Sequence, residues 1–195
     1  MPFMKVSCMV LVDINKYYFV TSNENKLKEA REILGINIES INLDISEIQA
    51  INVKDVVVEK AISAYEKIKK PVIVEDTGLY FSALNDFPGA LIRWMLKTMK
   101  NEGICELLNG FEDRQAYAET CICVYDGVKP LIFSGRVDGK IVESPRGSEG
   151  FGWDSIFSPV GQNKTFSEMS LEEKNKFSMR KIAFAQMKRY LLREK

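Results

Sequence analysis

The sequence predicts an α/β protein built on a mixed β-sheet. Three observations lead there: a β-α-β-α-β order of hydrophobic patterns over residues 17–74, a change to long β-prone runs from Ala116 to Val137, and an amphipathic helix near the C-terminus. The first implies strands joined by helical crossovers. The second implies an antiparallel portion.

Tyr17 to Val20 reads as a short strand, followed by the polar turn Thr21-Ser22-Asn23. Leu27, Ala30, Ile33 and Leu34 then recur at helical spacing up to Gly35. Ile38 to Leu43 reads as a second strand. Val53, Val56, Val57, Ala61, Ala64, Tyr65 and Ile68 form a helical stripe that stops before Pro71, where the ring excludes helical continuation. Val72 to Val74 is a buried strand, and helices are expected around Leu91–Met99 and Glu102–Leu108. Asp126-Gly127 carries the signal of a two-residue hairpin turn. Gly147 to Gly161 is a glycine-rich loop with aromatics, and Ser170-Leu171-Glu172-Glu173 matches a capping box that opens a short helix. Met179, Ile182, Ala183, Met187, Tyr190 and Leu191 complete the pattern as a C-terminal helix.

No repeat, low-complexity tract or long linker interrupts the chain, so residues 17–195 are expected to form one domain, with 1–16 as an extension or edge segment. The apolar run from Met1 to Val12 is too short to span a bilayer, and no signal-type cleavage pattern stands out. A cytoplasmic location without membrane partners is expected. At 195 residues and 46% hydrophobic composition the chain can bury a substantial core. Its 27 basic and 27 acidic residues cancel, which disfavours binding of a nucleic-acid polymer. Cys8, Cys105, Cys121 and Cys123 lack CxxC spacing and read as reduced packing residues.

There is no histidine. This removes Ser-His-Asp and Cys-His nucleophilic schemes and any histidine-ligated metal, leaving carboxylates and lysines to move protons. Carboxylate–Mg²⁺ chemistry is the natural survivor.

Three segments and two single residues could carry such chemistry. In Thr21-Ser22-Asn23-Glu24-Asn25-Lys26, free N–H groups at a helix start, short polar side chains and a lysine would cradle a phosphate; the same residues also suit an ordinary N-cap with a solvated lysine. Val72-Ile73-Val74-Glu75-Asp76-Thr77-Gly78 places adjacent carboxylates at the end of an apolar strand, where a cation or a general base is expected, or only a polar turn. Glu47 and Lys60 are ambiguous alone. In Ser144 to Asp154, glycines around Phe151 would admit a planar ligand for the ring to stack on, although Phe151 and Trp153 could instead plug the core.

Together and in order, TSNENK, SEIQ, VEDTGL, RGSEGFGWDSIFSPVGQNKTFSEM and EEKNKFSMR resemble the inosine triphosphate pyrophosphatase family, which acts on noncanonical purine nucleoside triphosphates. The match runs from about Tyr17 to Leu192. The resemblance implies an elongated mixed α/β fold of two lobes around a central cleft, a homodimer, and Mg²⁺-dependent hydrolysis of ITP, dITP and XTP to monophosphate and pyrophosphate. By the same resemblance Thr21, Ser22, Asn23 and Lys26 hold the triphosphate, and Glu47 and Asp76 hold the metal with Glu75 in support. Asp76 is also the proton acceptor, and Lys60 handles phosphate charge. Thr77, Phe151, Gly152, Trp153, Asp154, Lys174 and Arg180 match substrate-contacting positions.

Two departures stand out. Ser178-Met179-Arg180 replaces the family's Ser-His-Arg, so Met179 occupies a base-side position without a polar group. Ala90-Leu91-Ile92 follows Pro88-Gly89 where the family tends to carry a serine. The competing readings are a related house-cleaning pyrophosphatase for modified pyrimidine or 7-methylated guanine nucleotides, and a catalytically silent nucleotide-binding module.

Overall fold

The structure, a computed structural model, describes residues 14–192. Seven strands form one mixed sheet: β1 (Tyr18–Val20), β2 (Ser40–Ile41), β3 (Val72–Phe81), β4 (Phe87–Gly89), β5 (Gln115–Tyr125), β6 (Leu131–Ile141) and β7 (Phe157–Pro159). The order is β2-β1-β3-β5-β6-β7, with β4 paired to the far end of β3. β1 runs parallel to β2 and β3, whereas β3-β5-β6-β7 is antiparallel throughout. The mixed sheet expected from the sequence is therefore present, its parallel and antiparallel portions continuous through β3.

The helices are α1 (Glu24–Leu34), α2 (Val53–Ile68), α3 (Ile92–Leu108), α4 (Leu171–Asn175) and α5 (Met179–Leu192). Asn23 caps α1 by accepting from the N–H groups of Asn25 and Lys26, and Gly35 ends it in the left-handed region. The Ser170 capping box of α4 forms as expected. In β3 the period of two divides the core: Ile73 faces Leu27, Ala30, Phe184 and Met187 of α1 and α5, while Val72 and Val74 face Val57, Ala61 and Ala64 of α2. Each such side chain contributes about 1.5–3 kcal/mol by leaving water. A third cluster joins the end of β3 to α3, Trp153, Phe157 and Phe166. At Gly135 of β6 an added Cβ would stand 2.0 Å from the carbonyl oxygen of Met179, so this glycine lets the start of α5 lie directly on the sheet.

Three expectations are revised. The second strand shrinks to Ser40–Ile41, and residues 42–52 run without regular structure into α2. β3 does not stop at Val74 but continues to Phe81, because β5 pairs with it over its whole length. The β5–β6 connection is longer than two residues, since pairing ends at Val124↔Leu131; Pro130, lacking an N–H, cannot extend the ladder. Of the expected N-terminal extension, Ile14–Lys16 form a 3₁₀ turn with Ile14 packed beneath α1, and the remainder, with Cys8, lies outside the described residues.

Candidate active site

A cavity of about 430 Å³ lies where the sheet changes from parallel to antiparallel. β1 ends at Val20 opposite Val74, so the edge of β3 from Glu75 to Thr77 has no β1 neighbour and opens onto this space. The start of α1, the irregular 42–50 segment, the first turns of α3, the 151–154 loop and the start of α5 complete the walls.

Along and behind its wall runs an unbroken alternation of charges. Lys174 Nζ lies 2.8 Å from Asp154 Oδ2 and 3.2 Å from Glu29 Oε1. Glu29 also accepts from Arg180 Nη1, whose Nε donates to Glu75 Oε2 at 3.0 Å and whose Nη2 lies 3.4 Å from Glu75 Oε1. Lys26 Nζ then stands 3.4 Å from both Glu75 Oε1 and Asp76 Oδ1. Asp154, Lys174, Glu29, Arg180 and Glu75 are all buried. Buried charges survive only when paired and hydrogen-bonded, and this row, three cations against four carboxylates, meets that condition from four helical or strand elements and a loop.

Burial alone would raise the Glu75 pKa from its ordinary 4.5, but the charges and hydrogen bonds of Arg180, with Lys26 and Thr77, outweigh it and hold the group at about 2. For Lys26, burial opposes the ammonium, yet Glu75 and then Asp76 keep its pKa above the usual value. A depressed carboxylate means that the unfolded chain binds the extra proton between the two pKa values, so the Glu75 contribution is full above pH 4.5 and is lost as pH falls towards 2. The stability gap between the wild type and Glu75→Gln, followed by urea unfolding from pH 6 to 2, should close over that window by about 3 kcal/mol. A gap independent of pH would show that Glu75 is not held ionised.

At one end of the row the ring of Phe151 has Lys174 Nζ 5.1 Å and Arg180 Cζ 5.6 Å from its centroid. The Phe151 N–H donates to Asp154 Oδ2 at 2.9 Å. At the other end, Thr21 Oγ1 accepts from the Asn23 N–H at 3.1 Å, Ser22 is exposed, and Asp76 Oδ1 accepts from the Thr77 N–H at 2.8 Å. Glu47 is paired with Lys60, and Arg93 lies 3.7 Å from its second oxygen. Against the effect of burial, Lys60 and Arg93 lower the Glu47 pKa.

The description "Ham1 family" belongs to the family model that matches residues 17–190. The chain belongs to the Ham1 family. Two curated relatives of this Ham1 chain are inosine triphosphate pyrophosphatase 1 of Trypanosoma cruzi, 42% identical over 89% of this chain and 91% of its own length, and the dITP/XTP pyrophosphatase of Methanopyrus kandleri, 42% identical over 85% and 90%. Among solved structures, a HAM1 protein of Coxiella burnetii superposes with a TM-score of 0.79 at 29% identity, covering 90% of this chain and 98% of that one. The Ham1 protein of Staphylococcus aureus gives 0.78 at 27%, covering 92% and 100%.

In this Ham1 chain the cavity brings together Thr21, Ser22, Asn23, Lys26, Glu47, Lys60, Glu75, Asp76, Thr77, Phe151, Gly152, Trp153, Asp154, Met179 and Arg180. Lys174 sits behind Phe151 rather than among the lining residues. Glu75 is buried, its oxygens accepting from Arg180 and Thr77 with Lys26 Nζ 3.4 Å from Oε1, so that it is the counter-ion of these two cations. Trp153 is packed edge-on against Phe157 at 5.5 Å, chiefly a core residue that touches the cavity. Met179 is buried beside Arg180.

Sequence reasoning missed Glu29, which joins Lys174 to Arg180, and Arg93 at the cavity mouth. Glu29 lies three residues beyond Lys26, and this spacing puts both on one side of α1. That was the available signal.

Proposed function

We propose that the chain hydrolyses noncanonical purine nucleoside triphosphates, ITP, dITP and XTP, to the monophosphate and pyrophosphate. The observation that carries this reading is the single cavity with Lys26 and Asp76 at one end and Phe151 at the other, a space suited to a nucleotide. The relatives named as inosine triphosphate and dITP/XTP pyrophosphatases support it. We read the cavity as the cleft between two lobes that the resemblance implies, formed by one domain beginning near Tyr17.

Lys26, with Thr21, Ser22, Asn23 and the N–H groups opening α1, binds the phosphates, and Lys60 adds a second positive charge on that side. Asp76 orients or deprotonates the water that attacks the α-phosphorus, and the departing pyrophosphate is stabilised by Lys26 and the helix start. Asp76 Oδ2 has no hydrogen bond among the described residues, which leaves it available.

The donor set fits a hard divalent cation. The side chains of Asp76 and Glu47 are 23% and 29% exposed, and among the described residues no three acidic, cysteine or histidine groups gather to form a closed metal site. Two carboxylates completed by phosphate oxygens and water are the ligands Mg²⁺ accepts. When bound, Mg²⁺ would supply neutralisation of the triphosphate charge.

At the base end, Phe151 stacks on the purine with Gly152, Trp153 and Met179 around it, and Thr77 and Asp154 fix the neighbouring groups. The contacts of Arg180 leave one Nη1 hydrogen without a partner among the described residues, a donor for a 6-oxo purine. Adenine presents a 6-amino donor to it, a mismatch that disfavours ATP by about 10⁴-fold.

Among the described residues no helix is long and apolar enough to cross a membrane. Buried, unpaired Cys105, Cys121 and Cys123 support a reducing, cytoplasmic setting, and a homodimer rests on the resemblance. Pyrophosphate release from ITP and XTP with Mg²⁺, abolished by EDTA and far slower with ATP, is the expected result. Equal ATP and ITP rates would refute the donor argument, and no release from any of them would favour a silent binding module.

A further inference from the structure

The backbone of α3 breaks at Lys100, which takes φ 59° and ψ −176° before helical geometry resumes. A positive φ is uncommon for a residue other than glycine, and it persists where the surroundings hold it. The residue after the break, Asn101, reaches the loop that carries Phe151. Its Nδ2 donates to the carbonyl oxygen of Gly152 at 2.9 Å and to Ser155 Oγ at 2.9 Å. Its Oδ1 is buried with no hydrogen-bond partner among the described residues, so the amide is retained by its donor half alone.

Gly152, with φ 64°, lies between Phe151 and Trp153. On the opposite side the loop is tethered by the Phe151 N–H to Asp154, itself fixed by Lys174. Backbone bonds from Ser167 to Asp154 and from Arg146 to Ser155 also hold the loop, and beside them Phe151 stands between two side-chain anchors, one ionic and one amide. We infer that Asn101 is a positioning residue: it pins the 151–155 loop to the second half of α3 and so sets where the Phe151 ring stands relative to Lys174 and Arg180. Its consequence for base affinity rests on the function proposed above.

Asn101→Leu removes both donors, keeps the size of the side chain and eliminates the orphaned acceptor. Hydrogen–deuterium exchange of the free protein should then be faster by about fivefold or more in the 147–156 segment and unchanged in 179–192. In turnover, KM for ITP and the inhibition constant of inosine monophosphate should rise about fivefold, while kcat and the inhibition constant of inorganic pyrophosphate stay within about twofold. Ser155→Ala, losing one of the two contacts, should give the same pattern more weakly. Unchanged exchange in 147–156, or an equal weakening of inosine monophosphate and pyrophosphate, overturns the inference. If the wild type releases no pyrophosphate from ITP, the functional reading fails, and the exchange comparison still decides the role of Asn101.

Discussion

Asp76→Asn is expected to reduce pyrophosphate release from ITP by about 10³-fold, the scale of losing a positioned general base. Asparagine keeps an acceptor for the Thr77 N–H, which Asp76 Oδ1 now holds at 2.8 Å, so the strand geometry has no reason to change. It loses the charge that Lys26 faces and the carboxylate offered to Mg²⁺. Because Asp76 is only partly buried, the melting temperature should stay within about 2 °C of the wild type. A variant that folds and hydrolyses ITP at near-normal rate would remove Asp76 from the chemistry and leave the proposed mechanism without a base.

The second large effect concerns the buried row of charges. Arg180→Met replaces the guanidinium between Glu29 and Glu75 with an apolar chain and leaves two buried carboxylates without their shared partner. Losing one member of a buried pair costs about 3–5 kcal/mol, which in a protein of this size lowers the melting temperature on the order of 10 °C. Lys26 and Lys174 remain to temper the loss. The triple substitution Arg180→Met, Glu29→Gln, Glu75→Gln should recover much of the stability, since no charge is then stranded. Urea unfolding of the three proteins checks this. If Arg180→Met alone is as stable as the wild type, the row contributes nothing to holding α5 against β3.

Much of the fold was legible in the chain. The Asn23 cap with its Leu27-Ala30-Leu34 stripe gave α1, Pro71 limited α2, and the Ser170 capping box gave α4, because each is specified by residues within a few positions of one another. Even the division of α3 at Lys100 was visible, as two helical patterns separated by a polar interval. The continuation of β3 was not. Its apolar signal ends at Val74, and what sustains strand geometry through Glu75, Asp76 and Thr77 is the facing β5 and the partners Arg180 and Thr120 from far along the chain. Lys26 and Asp76 could be picked out as site candidates from local motifs, whereas Glu47 and Lys60 entered only through the family resemblance. Glu29 could not be told from any other acidic residue on a charged helix, since its partners are assigned only by the packing of α1 on α4 and α5.

Lys174 and Arg180 reach Glu29 across 145 and 151 positions of chain. During synthesis, therefore, α1 and β3 can form and pair while their two inward glutamates still lack a cation from the C-terminal helices. Only when the final helix settles over Gly135 do both glutamates acquire the guanidinium they share.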